Sequence, residues 1–191
     1  MSAITIFGKG NMGQALGKVF TDAGNDVNYI GSSDPVDTIG DIAILAVPFN
    51  AAVEIAKAQS EKLAGKIVVD ITNPLNFDTW DELVVPADSS AAAHLAELLP
   101  DSKVVKAFNT NFAASLNTAE VAGKQKTTVL AASNDEDAKK ALQSALEGSK
   151  LAFVDAGSLR RARELEGTGF LQMTLAANEQ IGWDGGFAVL K

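Results

Sequence analysis

An α/β fold, doubly wound around a mostly parallel sheet, is predicted by three features of the chain. An apolar, β-branched run, Ile4-Thr5-Ile6-Phe7, stops in Gly8-Lys9-Gly10-Asn11-Met12-Gly13 and continues with helical spacing. Residues 42–47 and 66–71 are apolar without alternation, as strands of a parallel sheet covered on both faces must be, and each ends in a proline-containing loop. Strand-like and helix-like segments then alternate along most of the chain.

The first of these features is the strand–turn–helix of a dinucleotide site, Gly-x-Gly-x-x-Gly. Its glycines have separate jobs. Gly8 permits a tight turn, Gly10 lets the backbone approach a diphosphate with no Cβ in the way, and Gly13 allows the helix to pack closely on the strand. The amides of Gly10, Asn11 and Met12 open the helix and face the anion, where the helix dipole adds to their hydrogen bonds. The helix is expected over residues 11–23, with Ala15, Leu16, Val19 and Phe20 on one face and Gly24-Asn25 ending it.

Residues 26–30 form the second strand, and Gly31-Ser32-Ser33-Asp34-Pro35 the loop at its carboxyl end. In this fold that loop selects the cofactor, because an acid at the strand tip bonds the ribose hydroxyl of NAD, whereas small hydroxyl and basic residues accept the phosphate of NADP. Ser32 and Ser33 favour NADP, with Lys9 available to supply positive charge; Asp34, turned inward, would instead favour NAD. Next comes an absence. Only residues 36–40 separate this loop from the strand at 42–47, too few for a helix and a strand. The second helix (αB) and third strand (β3) of the usual first half are therefore read as deleted, which leaves the second strand at the sheet edge and the adenine side exposed.

A helix over 51–63, carrying Val53, Ile55 and Ala56 inward, follows the loop Pro48-Phe49-Asn50, and the strand at 66–71 ends in Thr72-Asn73-Pro74. Backbone groups of Ala46, Val47 and Pro48, with Ile71, Thr72 and Asn73, are the candidates for the nicotinamide side; the alternative is that these prolines merely stop strands. Residues 76–85, with Trp80, read as an ordered loop. A helix over 89–99 has Ala92, Leu95, Ala96 and Leu99 as its stripe, and His94, off that stripe, reads as a solvated residue beside Glu97 rather than a ligand or base. Further strands are expected at 103–108, 127–132 and 151–155, with a helix over 135–147 opened by Asn134. The final helix, roughly 160–181, is expected to be interrupted by Gly167 and Gly169. Arg160, Arg161 and Arg163 form the only basic cluster, read as a solvated first turn, the alternative being that it docks an anionic tail of a substrate. The tail carries Trp183, Phe187, Val189 and Leu190, apolar enough to cap the sheet or to meet a second copy in a homodimer.

Composition narrows the functional classes. The chain has 191 residues, 47% hydrophobic and 21% charged, so it is expected to form one globular domain, 1–191, with a sizeable core. A net charge of -8, with no basic patch interleaved with aromatics, speaks against nucleic acid. Cysteine is absent, which removes disulfides, thiolate metal sites and a cysteine nucleophile together. No apolar run has membrane-spanning length and no leader precedes the first strand, so a soluble cytoplasmic protein is expected.

Several stretches together resemble the deazaflavin (coenzyme F-420)-dependent NADP oxidoreductases. They are the glycine loop Gly8–Gly13, the strand end Ala46-Val47-Pro48, the string Lys103-Val-Val-Lys-Ala-Phe-Asn-Thr110 and the closing Asp155-Ala-Gly-Ser-Leu159. The chain is also similar, at Lys106-Ala-Phe-Asn-Thr110, to the cytosolic domain of the six-transmembrane metalloreductases. The resemblance implies a compact Rossmann-like domain with added strands and a C-terminal helical segment. It also implies NADP across the carboxyl edge of the sheet, and hydride passing directly between nicotinamide and a deazaflavin or flavin ring. On these positions it assigns NADP to Gly10, Asn11, Met12, Ser32, Ser33, Val47 and Pro48, and sets Asn109 near the reacting rings. The chain departs from the family's pattern in having Ser32-Ser33 where the family has Ser-Arg, in the deletion after the second strand, and in Asn109 where the deazaflavin enzymes carry histidine.

The expected function is thus NADP(H)-dependent transfer of hydride to a deazaflavin, a flavin or a similar small-molecule redox acceptor. Neither a catalytic side chain nor a metal ligand is assigned, because the cofactor carries such chemistry and the chain needs only to position the rings and exclude water. The contrasting reading is a non-catalytic NADP(H) sensor whose bound nucleotide shapes a surface for a partner. The glycine loop is shared with pyrroline-5-carboxylate reductase and hydroxyacid dehydrogenases, but too few residues follow the last expected strand to build their helical substrate domain.

Overall fold

The computed structural model describes residues 1–190. The expected first strand, helix and second strand form as β1 (Ala3–Phe7), α1 (Asn11–Asp22) and β2 (Asp26–Ile30). After the loop come β3 (Ile42–Leu45), α2 (Phe49–Leu63), β4 (Ile67–Asp70), α3 (Ala91–Leu98) and β5 (Lys103–Lys106). Then follow α4 (Ala113–Thr118), a small hairpin of β6 (Glu120–Val121) and β7 (Gln125–Lys126), β8 (Thr128–Ala132), α5 (Glu136–Ala145), β9 (Ala152–Gly157) and α6 (Ala162–Ala177).

The main sheet has seven strands in the order β2-β1-β3-β4-β5-β8-β9. The first five run parallel, β8 is antiparallel to β5 and β9 is parallel to β8. The deletion is as read from the sequence: the chain passes from β2 over a loop to β3, which lies directly against the other side of β1, Ile4 opposite Ile42. Thr5 ties this short connection down. Its hydroxyl donates to Asn28 at 2.6 Å and accepts from the Gly40 amide at 2.9 Å. Gly40 is required there, since a Cβ would stand 2.3 Å from the Ala3 carbonyl oxygen.

Successive residues of the central strands bury on opposite faces, giving two cores. Ile4, Ile6, Ile42, Ile44 and Val105 pack with Leu16, Phe20, Phe108, Leu116 and Leu142 on one side; Phe7, Ala43, Leu45 and Val68 pack with Ala56, Leu63, Leu95 and Leu159 on the other. With two covered faces, alternation disappears from the sequence, which is why these strands read as unbroken apolar runs. Tyr29 closes the open edge over α1, its hydroxyl so near Gly17 that a Cβ there would overlap it.

Several expectations are corrected. On α2 the fully buried positions are Ala52, Ala56 and Leu63, while Val53 and Ile55 are only half-buried. Asp135, not Asn134, caps α5, its carboxylate accepting from the Ala138 amide at 2.7 Å, while the Asn134 side chain accepts from the Leu159 amide. The last helix is not interrupted: a 3₁₀ turn, Leu159–Arg161, leads into α6, which runs through both Gly167 and Gly169. Gly169 is there for closeness, because a Cβ would meet the Asn73 side chain at 2.4 Å. His94 is exposed beside Glu97, 3.9 Å away, as a solvated residue would be. The tail divides, with Trp183 tilted on Phe112 at a ring distance of 5.0 Å and Leu190 75% exposed.

Candidate functional site

The parallel strands deliver their carboxyl ends to one edge, and the site is built there. Gly8, at φ +110°, turns the chain out of β1; its amide donates to Ile30 and the neighbouring Ala46 amide donates to Phe7, so three strand ends are tied side by side. A Cβ on Gly8 would stand 2.2 Å from the Ala46 carbonyl oxygen, and one on Gly13 2.2 Å from the Gly8 carbonyl oxygen, while one on Gly10 would meet nothing within 4 Å. The three glycines thus divide as the motif requires: two permit backbone to touch backbone, and the middle one borders open space.

That space lies before α1. No side chain caps α1, whose N-cap is Gly10 itself, and its first intrahelical bond runs from the Gln14 amide to the Gly10 carbonyl. The amides of the first turn therefore have no acceptor within the helix, an arrangement chemically suited to an anion. Asn11 and Met12 also border a cavity of about 570 Å³. The β3 end contributes Ala46, Val47 and Pro48 to the same cavity, the β4 end Ile71, Thr72 and Asn73, and the loop after β5 Asn109. Nine expected site residues are thus brought together around one space. Gly8, Lys9 and Gly10 lie in the adjoining turn, Gly13 is buried in the first turn of α1, and Ser32 and Ser33 are exposed at the carboxyl end of β2. Beside them Asp34 turns back: its carboxylate accepts from the Gly31 amide at 2.8 Å and pairs with Lys9 at 2.5 Å. The hydrogen bond from Lys9, then that from Gly31, holds its pKa below the ordinary aspartate value.

The floor of the cavity is a fixed amide pair. Asn73 donates to the Asn109 carbonyl at 2.9 Å; the Asn109 side chain donates to Asn73 and to the Leu165 carbonyl, both at 2.8 Å. Asn111 donates to Thr128 at 3.0 Å. Among the described residues, the buried side-chain oxygens left without a partner are those of Thr72, Asn109 and Asn111, all residues that line this cavity. Buried polar atoms are almost always satisfied, so three such oxygens on residues of one cavity call for a partner there, water or ligand.

Beneath the floor lies a group of charges that sequence reasoning missed. Lys106, 0% exposed, bonds Asp70 and Glu166 at 2.8 Å each and donates to the Thr72 carbonyl. Asp70 accepts from the Thr72 amide, and Glu166 accepts from the Ala91 and Ala92 amides at the start of α3. The signal available was a charge inside each of two apolar strands, at Asp70 and Lys106, which lie opposite each other in the sheet. Burial pushes the Glu166 carboxyl above its ordinary value, with Lys106 opposing and Asp70 reinforcing the shift. An acid raised in the folded state binds more protons there than when unfolded, so its contribution to stability is present below the ordinary value near 4.5 and declines as pH rises through the raised one. Urea unfolding across acid to neutral pH should show this decline in the wild type and lose it in Glu166→Gln.

No family model matches the chain. Over 133 residues it is 34% identical to the F420-dependent NADP reductase of Methanocaldococcus jannaschii, a match covering 66% of this chain and 58% of that protein. The chain is related in sequence to the F420-dependent NADP reductases. It is also 34% identical over 107 residues to the rat metalloreductase STEAP3, covering 56% of this chain and 20% of that one. It thus spans less than two thirds of the length of either relative. A crystal structure described as an F420-dependent NADP-reductase from Arthrobacter sp. FB24 superposes over 100% of both chains at a TM-score of 0.85 and 23% identity, which establishes a Rossmann-like fold. The resemblance to F420-dependent NADP reductases read from the glycine loop and strand ends is borne out. Phe49, Phe77, Phe112, Met173 and Trp183 also border the cavity, and sequence pattern alone did not point to them.

Proposed function

We propose that the chain acts as one NAD(P)-binding unit and an oxidoreductase, passing hydride between NADP(H) and a small redox-active ring. The observation that carries this reading is the meeting of the uncapped start of α1 with the cavity at Asn11 and Met12. The site fits a dinucleotide on its own geometry: Gly10 leaves room for a diphosphate, and a cavity of about 570 Å³ lies within the range of ligand pockets. Reduced nicotinamide, when bound, supplies a hydride to a ring stacked against it.

The chain's part is binding, orientation and exclusion of water. The amides of Gly10, Asn11 and Met12 would hold the diphosphate, and Ser32 and Ser33, with Lys9 released from Asp34, the phosphate that distinguishes NADP. Ala46, Val47, Pro48, Ile71, Thr72 and Asn73 would line the nicotinamide, with Asn109 fixing the floor. The names of the relatives, NADP reductase and metalloreductase, support a nucleotide-linked redox role. Room above the strand ends supports an enzyme over a sensor, which would need that face filled. Purified protein should bind NADPH more tightly than NADH by calorimetry and oxidise it when given a flavin or quinone. Tight binding with no turnover on any acceptor would favour the sensor, and no binding of either nucleotide would end both readings.

A further inference from the structure

Resting on that reading, we propose that the hydride acceptor is a flat ring that enters uncharged, a quinone or flavin nucleus, seated among Met12, Phe49, Phe112 and Trp183. The cavity lining carries it. Among the described residues bordering the cavity there is no Asp, Glu, Lys, Arg or His. With the amides at the start of α1 given to the diphosphate, a ring that carried its own negative charge would lose its hydration and find no ionic partner, a cost that a neutral ring does not meet. Lys106, beneath Thr72, has no hydrogen to offer: its three donors are taken by Asp70, Glu166 and the Thr72 carbonyl. The basic cluster is also elsewhere, with Arg161 and Arg163 paired to Glu164.

The same lining decides the chemistry. With no titratable group beside the ring, no side chain can hand over a proton as hydride arrives. A ketone would become a strongly basic alkoxide with nothing to neutralise it, whereas a quinone becomes a phenolate-type anion, of basicity near that of tyrosine, about 10. The acceptor gains the hydrogen nucleus and electron pair of the C–H bond broken on the dihydronicotinamide, which is oxidised to the pyridinium. One new bond to hydrogen forms on the acceptor, and its remaining proton comes from water after release.

Paired probes that differ only in charge test this. The full chain, with saturating NADP⁺, is titrated with a naphthoquinone, with its sulfonate and with riboflavin, following quenching of Trp183 against a Trp183→Phe control. The neutral member should bind at least tenfold more tightly in the quinone pair, where the charge sits on the ring, and turnover with NADPH should follow the same order. Whichever neutral ring binds more tightly identifies the nucleus. A ketone of similar size should not be reduced. Equal or tighter binding of the sulfonate, or no quenching by either neutral ring, overturns the proposal. NADPH calorimetry on the same protein reports separately on the nucleotide reading, so failure of one is distinguishable from failure of the other.

Discussion

Gly10→Val should lower affinity for NADPH by a factor of about 10² or more while leaving the melting temperature within a few degrees of wild type. At φ -74° and ψ -175° the Gly10 backbone is in a region open to valine, and nothing lies within 4 Å of the added Cβ, so the fold has no reason to object. What the methyl groups would occupy is the approach to the uncapped amides of α1. A diphosphate must come within about 3 Å of those amides to be held. Each charge-assisted hydrogen bond lost costs about 1.5–3 kcal/mol, so displacement from two of them accounts for the expected change. Gly8→Ala and Gly13→Ala make the contrast, since there the Cβ would stand 2.2 Å from a carbonyl oxygen and the fold itself would suffer. Calorimetric titration with thermal unfolding separates the two outcomes; unchanged NADPH affinity in Gly10→Val would remove the diphosphate site from the start of α1.

Lys106→Met should destabilise the protein by about 3–5 kcal/mol, because it leaves Asp70 and Glu166 buried side by side without their cation. For a chain of this size that corresponds to a fall in melting temperature of roughly 10 °C. Adding Glu166→Gln to the same variant should recover part of the loss, since only one carboxylate then remains uncompensated. Differential scanning calorimetry measures both. The partial recovery is the informative result: a double variant no more stable than the single one would mean that Lys106 acts through packing of its stem and not through charge. Because the same ammonium holds the Thr72 carbonyl, the single variant should also loosen the cavity floor and weaken nucleotide binding.

What could be read in the chain beforehand was set by how local the cause was. The turn at Gly8, the close packing at Gly13 and the missing segment before β3 are properties of neighbouring residues, visible in spacing alone. The unbroken α6 was not. Glycine lowers helix propensity, so Gly167 and Gly169 read as an interruption, but packing against Asn73 keeps the helix whole where Gly169 lets it approach. Asn134 and Asp135 are adjacent candidates for one cap, and only the direction of the chain entering α5 chooses between them. The hairpin β6–β7 has two residues per strand, too short for any period to show. The Lys106 cluster unites two neighbouring strands with a residue of the last helix, and Trp183 reaches the cavity from beyond α6; neither meeting is encoded near the residues concerned.

The short passage from β2 to β3 has a consequence for how the protein would work. β2 is outermost, no helix or strand intervenes between it and β3, and Ser32 and Ser33 at its carboxyl end are exposed. A nucleotide bound as proposed would be gripped by its middle and its redox end, and its adenine would be free to lead it out. Such a ligand would be exchanged at every cycle and would not stay as a resident group. The proportion of reduced to oxidised nucleotide in the surroundings would then set the direction in which the chain runs.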